Sequence, residues 1–323
     1  MRKKILSLIL AAVAAICMLS ACGGDISDIN TDGTLSIVCT TFPQYDWVRQ
    51  LTKGVQNVEI ELLLDSGTDL HSYQASAKDI MKIASADLFI YNGGASEAWV
   101  DDVLKSSKID NIVIINLLGL LPEEKRYCVE AIGEEGHTHE EGEEHNHAAD
   151  EHIWLSLKNA MTFITAINTA LCELDADNKA NYTENYMNYK ASLEELDSQY
   201  RMTLASCSKD TVVFADRFPF IYLTKDYYLS YHAAFSGCSA ESEASFETVT
   251  RLAGKIDELG LSCILITETS DGSIARTVKD ATKDKNQEIL TLNAMQSVTK
   301  DRLSTTYLEI MTDNLAVLKT ALS

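Results

Sequence analysis

The chain has 323 residues, 46% of them hydrophobic and only 3 of them proline, so it has the length for two units and the composition to bury a core built from many regular elements. A formal charge of −21 argues against nucleic acid as a partner and suits attraction for cations. Eight cysteines occur without one CxxC pair, which argues against a thiolate zinc knuckle.

Residues 1–21 read as an export signal. Arg2, Lys3 and Lys4 precede the apolar run Ile5–Leu19, which is too short for a confident membrane span. "LSAC" then ends at Cys22, the position a lipoprotein signal gives to a lipid-modified cysteine, so the reading is cleavage before Cys22 and a lipid anchor on its sulfur. Loss of Arg2, Lys3 and Lys4 would take the charge from −21 to −24. Residues 22–34 are a polar tether.

Residues 35–177 alternate β-type runs, "LSIVCT", "VEIELLL", "LFIY" and "NIVIIN", with helical patterns at "YDWVRQLTKG", "SAKDIMKIASA", "SEAWVDDVLKSS" and "SLKNAMTFITAINTALCEL". Strand and helix in alternation predict a parallel sheet covered by helices. Residues 178–206 hold one long helix, because Tyr182, Tyr186, Tyr189, Leu193, Leu196, Tyr200 and Leu204 fall at steps of three and four. Alternation resumes over 207–323. The expected strands there are "TVVFA", "LSYHAAF", "CILITE" and "EILTLN", and the expected helices lie near Phe220–Asp226, Phe246–Leu259, Ser273–Asp284 and Arg302–Leu322. The predicted fold is thus α/β: two parallel-sheet lobes joined by one rigid helix that limits their motion to small tilts.

Histidine is concentrated in "GHTHEEGEEHNHAADEHIW". In the Gly- and Glu-rich loop 134–150, His137, His139, His145 and His147 have no apolar neighbours to pack on and suit weak capture of divalent metal. A disordered acidic loop without a role is the plain alternative. His152 differs in kind, because Ile153, Trp154 and Leu155 follow it and belong to a folded lobe. In open α/β sheets ligands gather beyond the carboxyl ends of strands. His71, Asp216, Glu268 and Asp271 stand at such positions, which makes them candidates for a metal site between the lobes. Asp216 has competing uses as a helix cap or a partner of Arg217. His232, inside a strand, reads as packed. Cys39, Cys172 and Cys263 lie in apolar runs and read as core. The pairing of Cys39, Cys128, Cys172, Cys207, Cys238 and Cys263 is open.

"SGTDLHSYQASAKDIMKIASADLFIYNGGASEAWVDDVL" and "DEHIWLSLKNAM" resemble "PHxYxPxxxDixxixxADlviyNGxxlExWldkll" and "DPHiWLdPxNa" of the metal-binding lipoproteins of bacterial ABC importers for zinc and manganese (cluster A-I, ZnuA/TroA-like solute-binding proteins). The resemblance covers essentially the whole mature chain. It implies that His71 and His152 are the first two metal ligands, that Glu268 or Asp271 supplies a carboxylate from the second lobe, and that 178–206 is the interlobe helix. Where many zinc members carry "HDAF", this chain has "ADRF", with Ala215 in the histidine's place. Asp216 is adjacent, but a one-residue offset turns a side chain to another face. Two histidines and one or two oxygens suit zinc, and a more oxygen-rich set would favour manganese or iron.

The function the resemblance implies is a monomeric, non-enzymatic lipoprotein that captures zinc outside the cytoplasm. It would deliver the ion to an ABC permease with its ATPase subunit. Neutral imidazole being the ligand, affinity should fall in acid. An adhesin or metal buffer is a second reading. An exported metallohydrolase is a third, and no HExxH motif or phosphate loop supports it.

Overall fold

The central strands are those whose sequences are unbroken apolar runs, as expected of strands covered on both faces. In the computed structural model, which describes residues 33–106, 112–128, 149–237 and 243–323, β3 (Leu88–Tyr91) and β7 (Cys263–Thr267) are buried at every residue. The remaining strands are β1 (Leu35–Cys39), β2 (Val58–Leu62), β4 (Val113–Asn116), β5 (Thr211–Phe218), β6 (Ser230–Ser236) and β8 (Glu288–Leu292). Edge strand β2 reads "VEIEL" and leaves Glu59 and Glu61 on its exposed positions, and such charges blunt an open sheet edge. Cys22, His137, His139, His145, His147 and Cys238 lie outside the described residues.

Each sheet has four parallel strands in the same permuted order, β2-β1-β3-β4 and β6-β5-β7-β8. The order reverses between β1 and β3 in one and between β5 and β7 in the other, and the crevice at such a switch point is where open α/β sheets bind ligands. The helices are α1 (Phe42–Leu51), α2 (Ala77–Ala84), α3 (Trp99–Ser106), α4 (Leu117–Leu120), α5 (Leu157–Leu174), α6 (Lys179–Ala205), α7 (Ile221–Tyr227), α8 (Phe246–Leu259), α9 (Ser273–Ala281) and α10 (Tyr307–Leu322). No helix among the described residues is long and apolar enough to cross a membrane.

The two-lobe α/β architecture predicted from the strand and helix alternation is the observed one. Three details differ. The final helix starts at Tyr307 rather than near 302, because Thr306 and Glu309 form a capping box there. The first strand of the second lobe does not stop at Ala215; it runs to Phe218 through a bulge between Phe214 and Arg217. The short α4, held by Asn116 Oδ1 accepting from Gly119 N at 3.0 Å, is too brief to leave a periodic signal.

The linking helix α6 buries Tyr182, Tyr189, Leu193, Leu196, Tyr200 and Leu204, the stripe its spacing predicts, while Tyr186 is half-buried. It packs against α1, α5 and α10. One apolar cluster therefore runs from Ile37 and Phe89 of the first sheet through α6 to Phe214, Leu265, Leu318 and Leu322. The far face of the second sheet has its own smaller core, with Val213 and Ile264 packed with Leu252, Ile256 and Val278. Leu35–Ser323 forms one compact unit. Among the described residues no disulfide joins Cys39, Cys128, Cys172, Cys207 and Cys263; Cys39 and Cys263 are buried and Cys172 is half-buried.

Leu193 is fully buried in this shared core. Leu193→Ala should cost about 2–5 kcal/mol of stability. Far-UV and near-UV circular dichroism should still melt together; two separated transitions would contradict a common core.

Candidate metal centre

Both candidate histidines are carried by the same local device, an aspartate two residues earlier. Asp69 Oδ1 accepts from His71 N at 2.9 Å, and Asp150 Oδ1 accepts from His152 N at 2.9 Å. These are Asx turns, and each leads into a short 3-10 turn, Leu70–Ser72 and Ile153–Leu155. Leu70, Ile153, Trp154 and Leu155 are buried and fix the turns to the first lobe. The Trp154 ring lies edge-on to His152, 5.3 Å between centroids.

The rings meet at their outer nitrogens. His71 Nε2 and His152 Nε2 are 3.2 Å apart. The inner nitrogens face oxygens: His152 Nδ1 lies 2.9 Å from Asp150 Oδ1, and His71 Nδ1 lies 2.8 Å from Ser96 Oγ and 3.7 Å from Glu151 Oε2. An ionised carboxylate only accepts, so the His152 proton resides on Nδ1 and its Nε2 carries a bare lone pair. The same tautomer suits His71, with Glu151 nearby. Two lone pairs then converge on one point, an arrangement that calls for a cation between them. His152 is fully buried and the His71 side chain is 14% exposed, so solvent reaches the pair past His71. Burial, and after it the His152 ring, lowers the pKa of His71 from its ordinary value, against the pull of Asp69, Glu151 and Asp150.

A buried frame holds these rings. Glu151 Oε1 accepts from Ser96 N at 2.8 Å, and its carbonyl accepts from Asn92 Nδ2 at 2.7 Å. One residue thus joins the loop that follows β3 to the segment that carries His152. Gly94 must be glycine here: its φ is +98°, and a Cβ would fall 2.7 Å from Glu151 Oε1. Glu97 is 2% exposed and accepts from Gly93 N at 2.7 Å. Burial pushes its carboxyl pKa up to about 7 despite the hydrogen bonds it receives.

The second-lobe carboxylates are elsewhere engaged. Glu268 Oε2 accepts from Ala294 N at 2.8 Å and Oε1 from Gln296 N at 2.9 Å. Asp216 Oδ2 accepts from Thr267 N and Oγ1 at 3.0 and 2.7 Å, and Oδ1 from Arg217 N at 2.7 Å, so it stitches β5 to β7 across the switch point. Asp271 is exposed, and its Oδ1 accepts from Ser273 N at 2.8 Å at the start of α9. The structure brings His71 and His152 together and joins neither to these three carboxylates. Among the described residues no three His, Cys, Asp or Glu side chains form a metal-holding group.

What does reach the imidazoles from the second lobe is Gln296. Its Nε2 lies 3.4 Å from His71 Nε2 and in hydrogen-bond contact with His152 Nε2. Gln296 sits in the loop after β8, which docks on the first lobe. Gly67 N donates to Val298 O at 3.2 Å, Ser297 Oγ donates to Gly67 O at 2.6 Å, and Trp154 Nε1 donates to Ala294 O at 2.8 Å. Arg217 Nη1 and Asp69 Oδ2, 3.8 Å apart, add an interlobe ion pair. Gly237, after β6, also lies against the site: a Cβ there would sit 3.1 Å from His152 Cε1. Sequence reasoning passed over Gln296, since a lone glutamine in a loop carries no metal signal. The repeated Asp-x-His spacing was the visible signal for Asp69 and Asp150.

Residues 37–321 match the family described as zinc-uptake complex component A, periplasmic (ZnuA). The high-affinity zinc uptake system protein ZnuA of Bacillus subtilis is 30% identical over 317 residues, covering 96% of each chain. The zinc-binding lipoprotein AdcA of Streptococcus pneumoniae is 31% identical over 98% of this chain, which spans 60% of that protein's length. Among solved structures, the metal-dependent lipoprotein YcdH of Bacillus subtilis superimposes with a TM-score of 0.73 at 27% identity, covering 90% of this chain and 99% of that one. The Zn(II)-bound ZnuA-like domain of Streptococcus pneumoniae AdcA gives 0.70 at 26% identity, with the same coverage.

Glu97 provides a test of the buried frame. With its folded pKa raised from 4.5 to about 7, the native state holds a proton that the unfolded state has released. Stability from this group is therefore present below about pH 4.5 and is lost as pH rises through about 7. Glu97→Gln should remove that slope and gain up to about 3 kcal/mol over the parent at pH 8, measured by urea unfolding at pH 5 and pH 8. Equal slopes in parent and variant would refute the assignment.

Proposed function

The chain belongs to the zinc-uptake complex component A family, and from that premise we propose that it captures zinc outside the cytoplasm and hands it to an ABC import permease. The observation that carries the reading is the pair of imidazole Nε2 atoms 3.2 Å apart, each ring backed at Nδ1 by an oxygen. A tetrahedral zinc with Zn–N bonds of about 2.0–2.1 Å has ligand-to-ligand edges of about 3.3–3.4 Å, close to the separation found. The names and titles of the relatives, a zinc uptake protein and a Zn(II)-bound domain, support zinc ahead of manganese or iron.

In this reading the ion enters past His71, the more accessible ring, and exchanges its water for His71 and then His152. Asp150 and Ser96 hold the two rings in the tautomer that points Nε2 at the ion, so little ordering remains to be done at capture. The loop after β8 closes the far side. Transport needs reversible coordination and no covalent step. The permease, coupled to its ATPase subunit, would draw the ion out by separating that loop from the first lobe. A lipid on Cys22 would hold the protein at the outer membrane face, and His137, His139, His145 and His147 would gather ions loosely nearby.

Metal analysis of the purified mature protein should find one tightly held zinc. His71→Ala and His152→Ala should each abolish it, while deletion of residues 136–146 should remove only loosely held ions. Full tight occupancy in His71→Ala would refute the site. In cells, zinc-limited growth should need both this protein and its permease; rescue by the protein without the permease would favour a buffer.

A further inference from the structure

We propose that Gln296 is the second lobe's ligand, presenting its amide oxygen to the ion held by His71 and His152, and that Glu268 acts as the positioning residue that aims it. This rests on the zinc reading above and goes beyond it by naming what replaces the histidine absent at Ala215.

Three observations carry the inference. First, the Gln296 amide is already at the site. Its terminal nitrogen is 3.4 Å from His71 Nε2 and in contact with His152 Nε2. With the two imidazole nitrogens 3.2 Å apart, these atoms outline one face of a small polyhedron. A half-turn of the amide about its last side-chain bond puts Oε1 where Nε2 stands, with no backbone movement. The amide thus has two useful settings: N–H groups toward the imidazole lone pairs when the ion is absent, and the oxygen toward the ion when it is present.

Second, the loop is built to present this side chain. Met295, immediately before it, has φ +57°, a left-handed conformation that strains a non-glycine residue. Asn293 Oδ1 holds that turn by accepting from Met295 N at 2.8 Å. Asn314, 1% exposed, grips the loop base, Oδ1 accepting from Asn293 N and Nδ2 donating to Asn293 O, both at 2.8 Å. Gln296 itself is 8% exposed.

Third, Glu268 is committed. Its two oxygens take the backbone N–H groups of Ala294 and Gln296 at 2.8 and 2.9 Å. To ligate, it would have to release the amides that shape the loop and leave them unpaired in a buried place. As a clamp it fixes the backbone on both sides of Met295 and so the direction of Gln296. The ligand set His71, His152 and Gln296 is neutral, which leaves a fourth position for water and makes the site less tenacious than one with a carboxylate ligand.

The test is zinc affinity, by competition with a chelating dye, and the visible spectrum of the Co(II)-loaded protein, for the parent, Gln296→Ala, Gln296→Glu and Glu268→Gln. Gln296→Ala should weaken zinc about 10- to 100-fold or more and change the Co(II) band positions and intensity, which a packing defect alone would not do. Gln296→Glu, which restores an oxygen at the same reach, should recover or exceed parent affinity. Glu268→Gln should weaken zinc while leaving the Co(II) band shape closer to the parent's. Unchanged affinity and spectrum in Gln296→Ala would overturn the proposal, and so would tighter binding, which would make Gln296 a latch of the ion-free state only. Either result, with His71→Ala still unable to bind, would leave the zinc reading standing. Absence of tight binding in the parent would remove both. Melting of each ion-free variant, monitored by circular dichroism, separates loss of fold from loss of ligand.

Discussion

One apolar stripe on one helix holds the molecule together. Leu193, Tyr182 and Tyr200 of α6 are fully buried, and the helix packs on elements of both lobes. The interior that the two sheets share therefore does not close without it. A core of this kind resists compression and transmits displacement, so the lobes can tilt but cannot swing apart as they would on an extended linker. The polar contacts between lobes follow from that constraint. Asp46, fully buried, accepts from Tyr307 N at 2.7 Å and pairs with Arg49 at 2.6 Å. Tyr307 Oη donates to Trp154 O at 2.7 Å, and Tyr222 Oη to Asp150 O at 2.9 Å. The segment Asp150–Trp154, which carries one imidazole, is thereby tied to the second lobe at several points.

Buried carboxylates set the chemistry of the cleft at one remove from the rings. Asp150 and Glu151 are each 3% exposed, and each has an oxygen without a hydrogen-bonding partner in the protein. Charge so placed is costly unless something positive answers it. An ion between the histidines would answer it without touching the carboxylates, through the imidazoles that lie between. Labour would then be divided: neutral nitrogens would make the bonds, and acids behind them would supply the field.

The sequence made the architecture legible because parallel sheets write themselves as apolar runs, and α6 as a stripe at helical spacing. The histidines were legible because "DLHSY" and "DEHIWL" embed each ring in a turn anchored by apolar neighbours. The second lobe's share was not. Glu268, Asp216 and Asp271 stand where strands end, and there a carboxylate can serve a metal or a backbone amide equally well. One-dimensional spacing does not distinguish them, because the choice is made by the loop after β8, some 25 residues later in the chain than Glu268. Gln296 was invisible for the complementary reason: its role depends on being delivered by a strained turn that a distant carboxylate and Asn314 hold in place.

The continuous interior also governs how the chain must come into being. Leu318 and Leu322 belong to the same apolar cluster as Ile37, and Leu322 O accepts from Lys209 N at 3.1 Å. A polypeptide emerging N-terminus first exposes Ile37 and Phe89 early, but their cluster is completed only after Leu322 has been made. Until then the interior that the two sheets share stays unfinished.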